Sequence, residues 1–160
     1  MTSTLIAFLV CQSLVVLFIA LHDWVPLGRF SNLDGVRAAD STVRLFFVTV
    51  LSTLPFAIAL VASFHYATGR NPHWLTWLLW ISYGFGLYGM MRAWYWPYLF
   101  GGDPARIERY QQRFANTHAF LPTIHGIRPD TLHVCFHAAY ISACVLLAVL
   151  TFRDHMFAFG

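Results

Sequence analysis

The sequence predicts an all-α, polytopic membrane protein: a four-transmembrane-helix bundle with a short interfacial helix in its third loop. Three observations predict it. Hydrophobic residues make up 58% of the 160-residue chain and charged residues only 11%, against roughly 45–50% and about 25% in soluble domains. Four apolar stretches each approach the ~20 residues that cross a bilayer. The 10 basic residues are all arginines, and they crowd into two of the intervening loops. A soluble domain this small buries only about two-thirds of its surface, so the excess apolar area is expected to face lipid. One membrane domain, 1–160, accounts for the length.

The first span is expected over residues 4–21. No basic residue precedes it, and no A-x-A-like site stands at Ile19, Ala20, Leu21 and His22, so it reads as a retained helix rather than a cleaved leader. The loop 22–43 opens on His22, Asp23 and Trp24, is broken by Pro26 and Gly28, and continues as a turn with a short helical piece. The second span covers residues 44–66. Pro55 near its middle removes a backbone hydrogen bond and is expected to kink it, with Ser52 and Thr53 placed to satisfy the freed carbonyl.

A short turn, 67–72, leads to the third span, residues 73–92. Here Ser82, Gly86, Gly89 and Ala93 recur on one helical face. Such a stripe lets another helix approach closely in lipid; span four, through Ala139 and Ala143, is the expected partner, with a dimer contact as the alternative. Trp94, Tyr95, Trp96 and Tyr98 after this span, and Tyr66, Trp74 and Trp77 at the opposite face, read as the two interfacial aromatic belts.

In the loop 93–130, Asp103 and Pro104 form a helix start: a capping carboxylate followed by a residue preset for the first turn. From there to Phe114, Ile107, Tyr110 and Phe114 share one side and Arg106, Arg109 and Arg113 another. That pattern predicts a helix on the membrane surface, its arginines against anionic lipid headgroups. Pro122, Gly126 and Pro129 exclude a continuous helix over 116–129. Asp130 is expected to cap the fourth span, residues 131–152.

Basic residues are retained in the cytoplasm. Arg29, Arg37, Arg44, Arg92, Arg106, Arg109, Arg113 and Arg128 fall on one side, Arg70 and Arg153 on the other. The loops 22–43 and 93–130 are therefore expected in the cytoplasm and both termini outside it. The positive balance is read as a topology and headgroup signal, not as a nucleic-acid footprint.

His133 and His137 stand four apart near the start of span four, so both imidazoles lie on one helical face, about 5–6 Å apart at Cβ. Tyr140 continues that face inward. By the arginine topology His22, Asp23, His118 and His125 share this side of the membrane, and polar groups inside a span are expected to face the bundle interior. His133, His137, His118, His22 and Asp23 thus form a candidate metal set, suited to zinc or iron, with Arg92, His125 and Tyr140 completing the pocket. Arg92 is expected to pair with Asp23 across the mouth. Haem held between His22 or His118 and His133 or His137 is the alternative cofactor. Cys11, Cys135 and Cys144 lie in apolar spans without a CxxC, which excludes a thioredoxin-like site.

The leading expectation is a small membrane enzyme with a histidine-lined cytoplasmic mouth, acting on a lipid-soluble substrate. A non-catalytic subunit or small-ligand binder ranks second. A transporter ranks third, because no inverted repeat or midplane polar site is evident.

Overall fold

Local capping sets the ends of the long helices. The structure, a computed structural model, describes residues 2–69 and 71–155. Helix α1 spans Ser3–Leu21, its N-terminus capped by Thr2, whose hydroxyl accepts from the Leu5 N–H. Helix α2, Leu33–Ala39, is capped by the Asn32 side chain, and α3, Thr42–His65, by the Ser41 hydroxyl. Each supplies an acceptor to an N–H that the helix itself leaves unpaired. Helix α3 runs through Pro55 without a break. Arg70, one of the two arginines assigned to the outer side, lies outside the described residues.

Helix α4, His73–Met90, continues through a π-helical turn, Met91–Tyr95, into α5, Trp96–Phe100. The third predicted span therefore does not end at Arg92, and Pro97 explains the change of pitch. Proline has no N–H to offer the carbonyl four residues back and its ring crowds that carbonyl, which here belongs to Ala93. The Trp96 N–H bonds the Met91 carbonyl instead, so the Arg92 carbonyl also leaves the α pattern. Both carbonyls are met from α6, Pro104–Arg113. The Tyr110 hydroxyl donates to Ala93 at 2.5 Å and Arg106 donates to Arg92 at 3.4 Å.

Helix α6 starts at Pro104 as expected, but Asp103 makes no side-chain cap bond; the proline, with φ preset for the first turn, marks the start without it. Helix α7, Thr131–Phe152, has the predicted bounds and cap. Among the described residues no strand forms; Ile124 and Ile127 pair as an isolated bridge.

Helix α1 packs against α7 and α3, and α4 lies against both α3 and α7, while α2 packs on α6 across one end of this group. Leu5, Phe8, Val15, Leu75, Leu79, Ala143 and Leu147 fill the middle and are fully buried. Outward faces are equally apolar: Leu51, Val61 and Phe85 are 69%, 69% and 73% exposed. Helices α1, α3 and α7 are long and apolar enough to cross a membrane, with mean hydropathies of 2.6, 2.3 and 2.1. This is the build of a multi-pass helical membrane protein. Helix α4 has 18 residues but carries three Trp, two Tyr and three Gly, which dilute its apolarity.

Candidate functional site

The start of α7 sets the site. Asp130 accepts the backbone N–H of His133 at 2.9 Å through one oxygen and the His133 Nδ1–H at 2.7 Å through the other. Capping and ring orientation are thus one interaction. Burial alone would raise the Asp130 carboxyl, but the His133 ring and the backbone N–H groups of His133 and Leu132 outweigh it and hold the carboxyl below its usual range. With Nδ1 bound to Asp130, Nε2 is the nitrogen left for a ligand.

An aromatic cage encloses that ring. Trp94 lies 4.6 Å from it between centroids, Phe114 5.0 Å, Phe18 5.1 Å and His22 5.5 Å. Trp94 comes from the π turn, whose wider pitch carries it to the bundle mouth and leaves Arg92 on the outside. His137 sits one helical turn deeper, between Tyr95 at 5.4 Å and Trp94 at 5.7 Å.

His22 follows directly on α1 and stacks on Phe18 at 4.4 Å. Burial is the main influence on it and lowers its pKa to about 4, with the His133 ring and Arg113 acting the same way against Asp23 and the Phe18 carbonyl. The ring is therefore neutral near pH 7, and its Nδ1–H donates to the Phe18 carbonyl at 2.9 Å. Asp23, 3.3 Å from His22 Nε2, takes its strong partner elsewhere: Arg113 donates to it at 2.5 Å.

Arg113 also donates to Asp40 at 3.0 Å, and Asp40 accepts from Arg44 at 2.6 Å and from Arg109. One nearly buried carboxylate at the end of α2 thus gathers three guanidiniums from α3 and α6. Guanidinium forks suit such shared carboxylates. This cluster closes one wall of a cavity of about 470 Å³ that reaches His22, His133 and Trp94. A second cavity of about 520 Å³ runs between α3 and α4 past Pro55, Gly86, Gly89 and His137. Ser52, Ala93 and Trp94 line both, so the charged mouth and the apolar groove are neighbours that share a wall.

The structure gathers His22, Asp23, His133 and His137, but His118 and His125 go elsewhere. His118 is exposed, bonded to the Thr131 hydroxyl at 2.7 Å and packed on Phe30. His125 occupies a positive-φ turn position and bonds the Tyr98 carbonyl at 3.2 Å. Both thus bond helix ends, the first residue of α7 and the last turn of α5, away from the mouth. Arg92 does not reach Asp23; Arg113 holds that place, while Arg92 lines a separate outer pocket with Arg106. Tyr140 is buried and donates to the Tyr83 carbonyl at 2.9 Å and the Ser82 carbonyl at 3.3 Å, so it is a tie between α7 and α4.

In the small-residue stripe, Gly86 meets Tyr140, because an added Cβ would stand 2.1 Å from the hydroxyl oxygen. Gly89 would meet nothing within 4 Å and lines the groove with Ala93. Arg109 and Arg113 turn inward to Asp40 and Asp23 rather than outward from the α6 surface. Among the described residues no three His, Cys, Asp or Glu side chains are placed to hold a metal ion, so the expected metal set does not assemble. Of its donors, Asp23 is taken by Arg113, while His22 and His118 each spend a ring nitrogen on Phe18 and Thr131.

Sequence reasoning missed Trp94, Phe114, Arg113, Asp40 and Asp130 as site residues. Asp130 was within reach, since a carboxylate three residues before a histidine at a helix start can cap and bind the ring together. Trp94 was signalled by Pro97. In the Asp40 cluster only Arg44, four residues on, is local; Arg109 and Arg113 have no local signal. No protein-family model, curated protein or solved structure matches the chain.

Proposed function

We propose that the chain is a four-span membrane enzyme that acts on a lipid-soluble substrate at the cytoplasmic end of the bundle, with His133 as proton acceptor. The observation that carries this reading is that the charged mouth and the groove between α3 and α4 adjoin, sharing Ser52, Ala93 and Trp94. A substrate dissolved in the bilayer could slide along α3 and α4 and present its polar end to His133. Asp130 fixes the tautomer, so Nε2 carries the lone pair that takes a proton from a hydroxyl or a water. Trp94 and Phe114 cover the ring and limit bulk water.

Helix α4 is the fourth span in this reading. Its 18 residues rise about 27 Å at 1.5 Å each, and Trp77 and Phe85 on its outer face are 57% and 73% exposed. That the loops 22–43 and 93–130 join through Asp23, Asp40 and Arg113 supports placing them on one side, and their six arginines, with Arg44 and Arg92 at their edges, favour the cytoplasm for that side.

The test pairs turnover with occupancy. Purified protein in nanodiscs is incubated with a total lipid extract, and lipids are compared by mass spectrometry for wild type, His133→Asn and Asp130→Asn. Product masses are expected with wild type and lost in both variants. Bromine-labelled acyl chains should quench the fluorescence contributed by Trp94, read against Trp94→Phe. If wild type changes no lipid while the quenching persists, the enzyme reading fails and a lipid-binding protein is left.

A further inference from the structure

We infer that the mouth is a headgroup site for an amphiphile with one phosphate-like anionic head and one hydrocarbon chain, the chain lying between α3 and α4. This deepens the reading above and rests on it. The argument is charge complementarity. Arg44, Arg109 and Arg113 face two carboxylates, Asp23 and Asp40, so one positive charge is left unmatched in the cavity wall. Arg113 engages both carboxylates with both terminal nitrogens. Arg44 and Arg109 each give Asp40 a single terminal nitrogen.

The remaining N–H groups of Arg44 and Arg109 have no partner among the described residues. Both side chains stay partly open, at 59% and 43% exposure, and both line the same cavity. Two half-used guanidinium forks beside an unmatched charge are the arrangement that binds phosphate through paired N–H donors. The adjoining groove is apolar where the chain would run, past Pro55, Phe85 and Gly89. Its 520 Å³ and the 470 Å³ of the mouth each fall in the ~300–1,000 Å³ range of small-molecule sites. A neutral amphiphile would leave the extra charge unanswered. A soluble anion would leave the groove empty.

Three matched probes separate these cases: 1-oleoyl lysophosphatidic acid, 1-oleoyl glycerol with the same chain and no charge, and glycerol 3-phosphate with the same head and no chain. Native mass spectrometry in a neutral detergent reads their binding to the full chain. Lysophosphatidic acid is expected to bind at least tenfold more tightly than either fragment. Arg109→Gln and, separately, Arg44→Gln should each weaken it about tenfold, the effect of one charged hydrogen bond, and leave oleoyl glycerol unchanged. Gly89→Leu, whose side chain enters open groove, should weaken both lipids and spare glycerol 3-phosphate.

Equal binding of the two lipids, or equal loss of both in the arginine variants, overturns the anionic head. Glycerol 3-phosphate binding as tightly as lysophosphatidic acid overturns the amphiphile. If oleoyl glycerol binds as tightly as lysophosphatidic acid while wild type still converts lipid and Trp94 is still quenched by brominated chains, the lipid-substrate reading stands and the headgroup inference alone falls.

Discussion

Asp40→Asn should loosen α6 while the membrane-embedded helices stay intact. Asp40 is 9% exposed and accepts from Arg109 and Arg113 on α6 and from Arg44 on α3, so its carboxylate pins α6 across the bundle end. The Arg44 and Arg109 side chains are 59% and 43% exposed; exposed pairs of this kind contribute about 0.2–1 kcal/mol each. Arg113 is 22% exposed and bridges Asp40 to Asp23, so its bond to Asp40 belongs nearer the ~1.5 kcal/mol of a charged hydrogen bond. Asparagine keeps one acceptor, which leaves a net loss of about 2 kcal/mol, close to thirtyfold in the opening equilibrium of α6. Hydrogen–deuterium exchange in nanodiscs reads that opening directly. Peptides from α6 should exchange about thirtyfold faster, while α7 peptides around Ala143 keep their protection. Unchanged exchange in α6, or equal loosening of α6 and α7, would refute the reasoning.

Tyr110→Phe should lower thermal stability in detergent by about 1–3 kcal/mol by leaving the Ala93 carbonyl unpaired. Adding Pro97→Ala should recover part of that loss, because residue 97 then supplies the missing N–H; no recovery would refute the proline account of the π turn. Gly86→Ala should destabilise by about 1–3 kcal/mol through overpacking against Tyr140, whereas Gly89→Ala, with nothing within 4 Å, should be close to neutral in the same unfolding assay. Because burial lowers the His22 pKa from 6.5 to about 4, the unfolded chain binds the extra proton first as pH falls. Stability is then intact above pH 6.5 and declines toward pH 4. His22→Gln should flatten that decline in unfolding titrations; an unaltered slope would refute its assignment to His22.

What was legible in the sequence was written locally. The bounds of α7 follow from an apolar run and a carboxylate one residue before it, and α6 follows from Asp103 and Pro104, although the proline alone performs the start. Burial of His133 and His137 on one face was also legible, because four residues make just over one helical turn. The metal set was misread because sharing a membrane side is a weak constraint. His118 and His125 were expected at that end of the bundle, yet they bond the Thr131 hydroxyl at the start of α7 and the Tyr98 carbonyl in α5.

By itself, the sequence determined an all-helical chain, its apolar helices and their caps, since each depends on residues within a few positions of one another. Tertiary structure alone decided which charges far apart in the chain meet. Asp40 finds Arg109 and Arg113 across 69 and 73 residues, and Asp23 finds Arg113 across 90. Such pairings depend on where α6 lands, and α6 lands where Tyr110 can reach a carbonyl that Pro97 left without a donor. Periodicity reports which face of a helix is apolar; the partner of a buried charge is set by three-dimensional proximity.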